Sequence, residues 1–338
     1  MLAARSAVTV TPDGIMQTAL GFMAAKTLLS AVELGLFTEL AKGPRDGNTL
    51  AESLGLHSRA SRDFLDALVA TGLLHREDGV YSNSTEADAF LDKNKPTYIG
   101  GIIEMANTRL YPIWGKLTDG LRTGQPQSEN APEKTFADMY ADAERMRHFL
   151  SAMTGLSVTT AQAIAARFPW NGYRTFCDIG CAQGAVPVHL ALGNSHLTGA
   201  GFDLPVVEPV FREYVQSFGL QDRVHFTDGD FFKDPLPSAD VLVMGHILHD
   251  WDLETKMMLL EKAWKALPKG GSLIVYEMMI DDERRTPPGL LMSLNMLLET
   301  QGGFDYTGAD CTGWMKKTGF RDTRVEQLGQ ESMVVGVK

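Results

Sequence analysis

The sequence predicts an α/β protein whose C-terminal half is a mostly parallel sheet with helices on both faces. From Thr175 onward, short β-branched runs alternate with helix-length apolar patterns, which is typical of such a sheet. Before them, a series of helix signals ends in a short hairpin pattern. At 338 residues the chain also exceeds the ~250–300 at which a single core usually divides. We therefore predict a domain over residues 1–95, a helical linking segment over 96–172 and a second domain over 173–338.

Composition and charge restrict the class of function. Apolar residues make up 44% of the chain and charged residues 22%, as in an ordinary globular protein. The formal net charge of −11 argues against nucleic acid or an anionic membrane as the main partner. The three cysteines, Cys177, Cys181 and Cys311, are too sparse for a zinc site or a disulfide framework. Reduced thiols in a cytoplasmic protein are the favoured interpretation.

A strongly apolar helix is predicted to begin at Asp13. Its apolar side chains cover nearly the whole circumference, and a helix of that kind must be buried on all sides. Lys26 and Glu33 interrupt the run, so we do not expect it to span a membrane. Such a helix has few neighbours in its own chain, and we predict a homodimer with intertwined N-terminal helices. Packing inside its own domain is the alternative.

Residues 49–82 show a helix-turn-helix pattern followed by a hairpin that turns at Asp78-Gly79. This is a winged-helix arrangement, in which the last helix before the hairpin would enter a DNA groove. In this chain the basic side chains of that region are balanced by acidic ones: Arg59, Arg62, Asp63 and Asp66. The helix therefore offers phosphate no net attraction. A dimerisation scaffold is preferred over a DNA-binding domain.

The helical segment over residues 96–172 is rich in aromatic and methionine side chains. It includes one long predicted helix over residues 142–168, whose apolar face carries Met153. Such a face is more often protein core than ligand pocket. Here it directly precedes a nucleotide-type site, so both interpretations remain open.

Chemistry is predicted at the carboxyl ends of the strands, where ligands bind to open parallel sheets. The first strand leads through Asp178 into a turn in which Gly180 and Gly184 let the backbone approach a ligand. The second ends at Asp203, which is suited to accept hydrogen bonds from ribose hydroxyls. A carboxylate in the glycine turn would repel a pyrophosphate. We therefore predict a nucleoside ligand with a cationic or zwitterionic tail, such as S-adenosylmethionine (SAM).

The later strand ends add an adenine site and a base. Asp230 and Phe231 could hold the edge and the face of an adenine. A histidine titrates at about pH 6.5, so His249 can accept a proton at cellular pH. Glu277 could hold one of its ring nitrogens and leave the other free. One alternative is a purely structural histidine. The other is a metal site, which would need an immediate helical turn and would use His246, His249, Asp250 and Asp252.

These motifs together resemble the SAM-dependent O-methyltransferases of the plant caffeate and isoflavone type and their bacterial natural-product relatives. The resemblance runs from about residue 13 to the end and is carried by 178–184, 203–205, 229–232, 248–251 and 302–303. It implies an α-helical winged-helix dimerisation domain and a Rossmann-like SAM-methyltransferase domain with a mostly parallel seven-stranded sheet. It also implies methyl transfer from SAM to a phenolic or other aromatic hydroxyl of a small molecule, with S-adenosylhomocysteine as product and no metal.

The resemblance implies roles for individual residues. The positions that match cofactor contacts are Asp178, Gly180, Gly184, Asp203, Leu204, Gly229, Asp230, Phe231 and Gly245. His249 matches the catalytic base and Glu277 an acid that orients it. Residues at or near acceptor-pocket positions are Met153, Asp250, Met292 and Met296. Asp305 occupies the position of a second orienting glutamate and Tyr306 that of an arginine. Whether Asp305 replaces the glutamate stays open.

Two further departures from the family pattern stand out. Cys181-Ala182 occupy positions that are often glycines, and Gly245 occupies one that is often lysine or arginine. Because of the substitutions at 305 and 306, a SAM-dependent N- or C-methylation, decarboxylation or hydroxylation remains the alternative activity. A non-enzymatic winged-helix protein that senses SAM is a further alternative.

Overall fold

The computed structural model describes residues 10–95, 97–128 and 140–338. The chain divides into two compact units, Met1–Asn107 and Thr108–Lys338. The predicted boundaries after residues 95 and 172 stay a prediction.

The first unit is a set of helices with a small antiparallel sheet. Its helices are α1 (Asp13–Glu33), α2 (Leu36–Leu40), α3 (Gly47–Ser53), α4 (Ser61–Ala70), α5 (Thr85–Leu91) and α6 (Gly100–Met105). Its strands are β1 (Arg45–Asp46), β2 (Leu74–Glu77) and β3 (Val80–Asn83), in the order β1-β3-β2. Asp78 and Gly79 join β2 to β3 with φ of 48° and 80°, as a tight hairpin turn requires. The predicted winged-helix pattern is confirmed, and the two-residue β1 is an addition to it.

Helix α1 buries only its C-terminal part. Leu29, Ala31 and Val32 are buried. Five large apolar side chains nearer its start are between 44% and 75% exposed: Ile15, Met16, Leu20, Phe22 and Met23. The alternative that this helix packs inside its own domain therefore fails for its first half, which leaves an apolar surface exposed.

The second unit is built on a sheet of seven strands over the described residues. They are β4 (Thr175–Ile179), β5 (Thr198–Asp203), β6 (Val224–Asp228), β7 (Val241–Gly245), β8 (Ser272–Glu277), β9 (Arg321–Leu328) and β10 (Glu331–Val337). The spatial order is β6-β5-β4-β7-β8-β10-β9. Strands β4 to β8 pair in parallel, and β9 and β10 form an antiparallel hairpin at one edge. The mostly parallel sheet and its terminal hairpin are confirmed. Successive strands are added towards one edge of the sheet from β4 to β6 and towards the other edge from β7 onward. The point where this order reverses, between β4 and β7, is where α/β proteins bind ligands.

The second unit also contains helices, several of which cover the two faces of this sheet. They are α7 (Tyr111–Trp114), α8 (Leu117–Thr123), α9 (Ala143–Arg167), α10 (Ala185–Gly193), α11 (Glu208–Ser217), α12 (Leu253–Ala266), α13 (Pro287–Glu299) and α14 (Gly308–Thr318). Alternate residues of β7 enter two different cores, Val241 and Val243 one and Leu242 and Met244 the other. Both faces of a strand are therefore buried, as expected when helices lie on both sides.

The long helix expected over residues 142–168 is α9, and the Asp142 carboxylate caps it by accepting from the backbone N–H groups of Glu144 and Arg145. Residues 129–139 of the predicted helical segment lie outside the described part of the chain. By length and composition alone, α1 and α9 are each able to cross a membrane, a test that core helices and signal sequences also pass.

Candidate active site

The turn after β4 has the geometry of a ligand-binding loop. Gly180 and Gly184 have φ of 73° and 96°, and a Cβ on Gly180 would overlap the side chain of Ile247. Ala182 lies between them with φ of 48°, a conformation that glycine adopts more easily. Helix α10 begins directly after Gly184, so its first N–H groups point to the same edge of the sheet.

Asp203, at the end of β5, lies against this turn. Its two oxygens accept hydrogen bonds from the backbone N–H groups of Ala182 and Leu204, each at 2.8 Å. Burial raises the pKa of Asp203 to about 6, although these two bonds act in the opposite direction. The carboxylate thus stabilises the turn, and its remaining lone pairs are suited to ribose hydroxyls.

Asp178 is almost fully buried in β4. Burial, with the nearby charge of Asp203, raises its pKa well above the usual range for an aspartate. Burial thus favours the neutral form of Asp178, and a cationic ligand beside it would favour the ionised form. The expectation that this carboxylate disfavours a pyrophosphate stays a prediction.

The adenine-site residues follow β6. The N–H of Gly229 donates to the Asp203 carbonyl at 3.0 Å, which brings this segment next to the ribose acid. Asp230 accepts from the Phe232 N–H at 2.9 Å. The Phe231 ring lies edge-on to Trp251, with centroids 6.0 Å apart. The structure therefore brings the predicted ribose and adenine residues together along one edge.

Gly245 ends β7 and faces the ring of Tyr276, which a Cβ at this position would overlap. This explains why the lysine or arginine common in the family is missing. Gly245 can offer a ligand only its main chain.

His249 lies in a short 3₁₀ turn, Leu248–Asp250, that follows β7. Its ring Nδ1 is 3.3 Å from Asp305 Oδ1, and its backbone N–H donates to Glu277 Oε1 at 3.1 Å. This differs from the expectation that Glu277 holds the ring. Glu277 ends β8, the neighbour of β7, and so reaches the main chain of the turn. Asp305 is the acid at the imidazole.

The paired glycines explain why a short aspartate reaches that far. A Cβ on Gly303 would come within 2.7 Å of the carbonyl oxygens of His249 and Asp250. Only glycine allows the two segments to pass this closely. The close passage brings Asp305, two residues later, against the imidazole without the extra methylene of a glutamate.

The His249 imidazole is surrounded by negative charge. Burial alone would lower the pKa of His249, but the carboxylates of Glu277, Asp250 and Asp305 outweigh it and raise the pKa to about 10. Asp250 Oδ1 lies 3.7 Å from the other ring nitrogen, Nε2. In the ligand-free protein the imidazole therefore holds its proton at neutral pH.

Sequence reasoning missed Lys256, a fully buried lysine on α12. Its ammonium group donates to the Trp251 carbonyl and lies 3.5 Å from the centre of the Phe304 ring. Burial lowers the pKa of Lys256 to about 8, against the pull of Glu277 and Asp305. Lys256 thus supplies a positive charge to the cluster, in which Tyr306 replaces the arginine of the family. The signal was available, because Lys256 shares the i, i+3, i+4, i+7 face of Leu259, Leu260 and Ala263.

The alternative metal site of His246, His249, Asp250 and Asp252 is not assembled in the described part of the chain. The helical turn that it required is present, but Asp252 caps α12 and His246 pairs with Glu331. A different set, His249, Glu277 and Asp305, has one potential ligand atom each within 4.8 Å of the others. Two cationic side chains, His249 and Lys256, already balance these acids, so we assign no metal to them.

The predicted acceptor residues lie on three elements around the base. Asp250 touches the His249 ring, whereas Met292 and Met296 lie on α13. Met153 is half-buried on α9, next to Thr154, whose hydroxyl donates to Gln183 of the glycine turn at 2.9 Å. Of these four residues, only Asp250 has a contact with His249 that the geometry establishes.

The site as a whole fits SAM. The glycine turn forms a backbone cradle that side chains would fill, and the adjacent strand ends present Asp178, Asp203 and Asp230. Acids of this kind suit hydroxyl groups and a positively charged ligand and would repel a phosphate.

Comparison with known proteins agrees with this reading of the site. The O-methyltransferase domain family matches residues 114–321, and the O-methyltransferase dimerisation domain family matches residues 16–93. The chain is 44% identical over 330 residues to the tetracenomycin polyketide synthesis 8-O-methyl transferase TcmO of Streptomyces glaucescens. This alignment covers 97% of both chains. It is 37% identical over 330 residues to the N,N-dimethyltransferase OxyT of Streptomyces rimosus, covering 96% of each.

Solved structures give the same result. The crystal structure of human N-acetylserotonin methyltransferase in complex with SAM superimposes with a TM-score of 0.89 at 28% identity, over 99% of both chains. A glycine turn, a buried acid against it and a buried histidine–carboxylate pair thus occur in a chain that two domain families match along most of its length. The protein belongs to the SAM-dependent O-methyltransferase family.

Proposed function

We propose that this enzyme transfers the methyl group of SAM to a phenolic hydroxyl of a polycyclic aromatic small molecule of natural-product type, with His249 as the general base. The observation that carries the proposal is the His249 imidazole held between Asp305 and the Glu277-anchored turn. The acceptor class is supported by the 44% identical relative, which is named as an 8-O-methyl transferase of polyketide synthesis.

The cofactor would lie against the glycine turn. Asp203 would accept from the ribose hydroxyls, Asp230 and Phe231 would hold the adenine, and Gly180 would offer its main chain. When bound, SAM supplies an electrophilic methyl group on a sulfonium, whose positive charge disfavours a second cation close by.

The electrostatics of His249 suit the deprotonation of a phenol. Phenols have a pKa of about 10, and the carboxylates around His249 raise its pKa to about 10 as well. Proton transfer between the two is therefore nearly balanced in free energy. A general base works best when its pKa lies near the working pH, so the proton-accepting form of His249 is the minor one near pH 7 and increases as the pH rises. Asp305 would hold the ring and stabilise the imidazolium that forms.

N-methylation is the second candidate, because a relative that is 37% identical is named as an N,N-dimethyltransferase. A neutral amine has a free lone pair, so it needs no base before it attacks a methyl group. A dependence of turnover on His249 would therefore favour oxygen as the acceptor atom.

We also infer that the protein is a homodimer assembled through α1, and that it acts in the cytoplasm. The match of residues 16–93 to a dimerisation domain and the exposed apolar side chains of α1 support the dimer. The three buried, unpaired cysteines are consistent with a reducing compartment. Recovery of the native protein with the membrane or periplasmic fraction would contradict the cytoplasmic location.

The base assignment is tested by His249→Ala. We expect kcat on hydroxynaphthoate or hydroxyanthraquinone acceptors to fall at least about tenfold, since a general base typically contributes ~10²–10⁴-fold. The dissociation constant of SAM, measured by calorimetry, should change little. His225→Ala, which removes an exposed histidine of β6, is the control. Unchanged turnover in His249→Ala would show that another group takes the proton.

A further inference from the structure

A second histidine–carboxylate pair lies beside the base and has no role in the proposed mechanism. His246 Nε2 is 2.9 Å from Glu331 Oε1, and the two side chains are 12% and 8% exposed. Glu331 opens β10, whose next residue pairs with Glu277 at the end of β8. The pair therefore lies at the same edge of the sheet as His249.

The backbone holds His246 in an uncommon conformation. Its φ is 53°, in the left-handed region that few residues other than glycine occupy, although asparagine, aspartate and histidine are enriched there. Its N–H donates to the Tyr276 carbonyl at 3.2 Å, and the Tyr276 ring stands edge-on to the imidazole. Backbone strain of this kind is concentrated at functional sites.

The two imidazoles are neighbours. The ring centroids of His246 and His249 are 5.5 Å apart, with 52° between the planes. Each ring has its own carboxylate, Glu331 for His246 and Asp305 for His249. The arrangement thus presents two polar rings side by side to whatever ligand His249 deprotonates.

The charge of the second pair makes His246 a donor. Burial alone would lower the pKa of His246, but Glu331 more than compensates and raises it above the usual value. Glu331 itself keeps a lowered pKa because of the imidazole, despite its burial. With Nε2 turned to Glu331, Nδ1 is the ring nitrogen suited to donate to a ligand.

We propose that His246, held by Glu331, binds a second oxygen of the acceptor next to the oxygen that is methylated, so that the enzyme selects aromatic acceptors with paired ortho or peri oxygens. The oxygens of such pairs are about 2.7 Å apart, the length of an internal hydrogen bond. Two rings at the observed spacing can converge on them, His249 on one oxygen and His246 on the other. This inference rests on the proposed O-methylation of an aromatic hydroxyl.

The test compares two probes that differ only in the second oxygen, 1,8-dihydroxynaphthalene and 1-naphthol. Their dissociation constants are measured by calorimetry under argon, with S-adenosylhomocysteine present. We expect the wild type to bind the diol at least about tenfold more tightly, since a site built for a hydroxyl discriminates against the compound without it. In His246→Asn, a residue that tolerates positive φ, and in Glu331→Gln, the ratio should fall below about threefold.

Two controls separate this role from a structural one. His225→Asn and Glu326→Gln make the same chemical changes on β6 and β9 and should keep the wild-type ratio. Unchanged affinity for S-adenosylhomocysteine in His246→Asn shows that the site is still folded. If that affinity is lost, the ratio of the two dissociation constants in Glu331→Gln, which keeps the shape of the pair, decides whether the second-oxygen site exists.

The outcomes distinguish this inference from the proposed function. Equal binding of the two probes by the wild type, no binding of either, or an unchanged ratio in both variants would overturn it, while methylation of 1-naphthol would still support O-methyl transfer. Selective binding of the diol without methylation of either probe would support the second-oxygen site and count against O-methylation of this acceptor class.

Discussion

At the scale of single residues, the base depends on two carboxylates with different tasks. Glu277 fixes the main chain of the turn that carries His249, and Asp305 contacts the imidazole. Both acids also raise the proton affinity of the ring. The position of the base and its basicity therefore have the same structural origin.

The pH dependence of acceptor methylation follows from this charge. Because the pKa of His249 is raised, the imidazole is protonated at neutral pH, and kcat/KM for the acceptor should rise as the pH increases from about 7 towards 10. Asp305→Asn removes a negative charge, lowers the pKa of His249 and should move the acidic limb to lower pH, with a reduced plateau. Asp305→Glu, which restores the residue usual in the family, is the control. If the acidic limb of the pH profile in Asp305→Asn stays at the wild-type pH, the contact assigned between Asp305 and the His249 ring is contradicted.

Cofactor affinity should depend on Asp203. Burial raises its pKa to about 6, so its carboxylate is lost as the pH falls through that value, and SAM binding measured by calorimetry should weaken accordingly. Asp203→Ala should weaken SAM binding by at least about tenfold at pH near 7.5, since hydrogen bonds to charged groups contribute ~1.5–3 kcal/mol. Asp222→Ala, which removes an exposed aspartate, should have no such effect. Equal affinities in the two variants would exclude Asp203 as the ribose ligand.

At the scale of elements, α1 is the clearest case of a helix whose sequence demands a partner. Its first half places large apolar side chains in solvent, while the end of the helix is buried in the first unit. The cost of exposing such a surface is removed when a second copy covers it. The helix therefore connects the sequence pattern to the oligomeric state.

The dimer prediction is tested by Phe22→Glu. A charge in the middle of the apolar surface should shift the protein to monomers in analytical ultracentrifugation, because an unpaired charge at a buried interface is costly. Leu121→Glu alters an equally apolar and exposed site on α8 and should leave the wild-type mass unchanged. A wild-type protein that sediments as a monomer, or a dimeric Phe22→Glu variant, would refute assembly through α1.

At the scale of the whole molecule, the sequence predicts the order of strands and helices because the central strands β4, β7 and β8 are buried along nearly their whole length and have a strong apolar pattern. Strand β1 carries no such pattern, with only Arg45 and Asp46, and forms because β3 lies next to it. The motifs predict His249 and Asp203, which lie at the strand ends. They do not predict that Asp305 reaches the imidazole, because that contact depends on the close passage at Gly303.

The contacts of Lys256 and of the His246–Glu331 pair could not be predicted from the sequence for a related reason. Lys256 is a single charge on an apolar helix face, and its partners lie on segments near residues 251 and 304. His246 and Glu331 are 85 residues apart in the chain and meet only because β10 pairs with β8. Contacts of this kind follow from the topology of the sheet and not from any local spacing.

The central claim is that the acceptor atom is a phenolic oxygen. It is tested most directly by incubating the enzyme with methyl-labelled SAM and a set of hydroxynaphthoates, hydroxyanthraquinones and their amino counterparts, and locating the label by mass spectrometry and NMR. We expect label on oxygen of the hydroxylated compounds, with the rate strongly reduced in His249→Ala. Label found on nitrogen or carbon, with none on oxygen, would contradict the account.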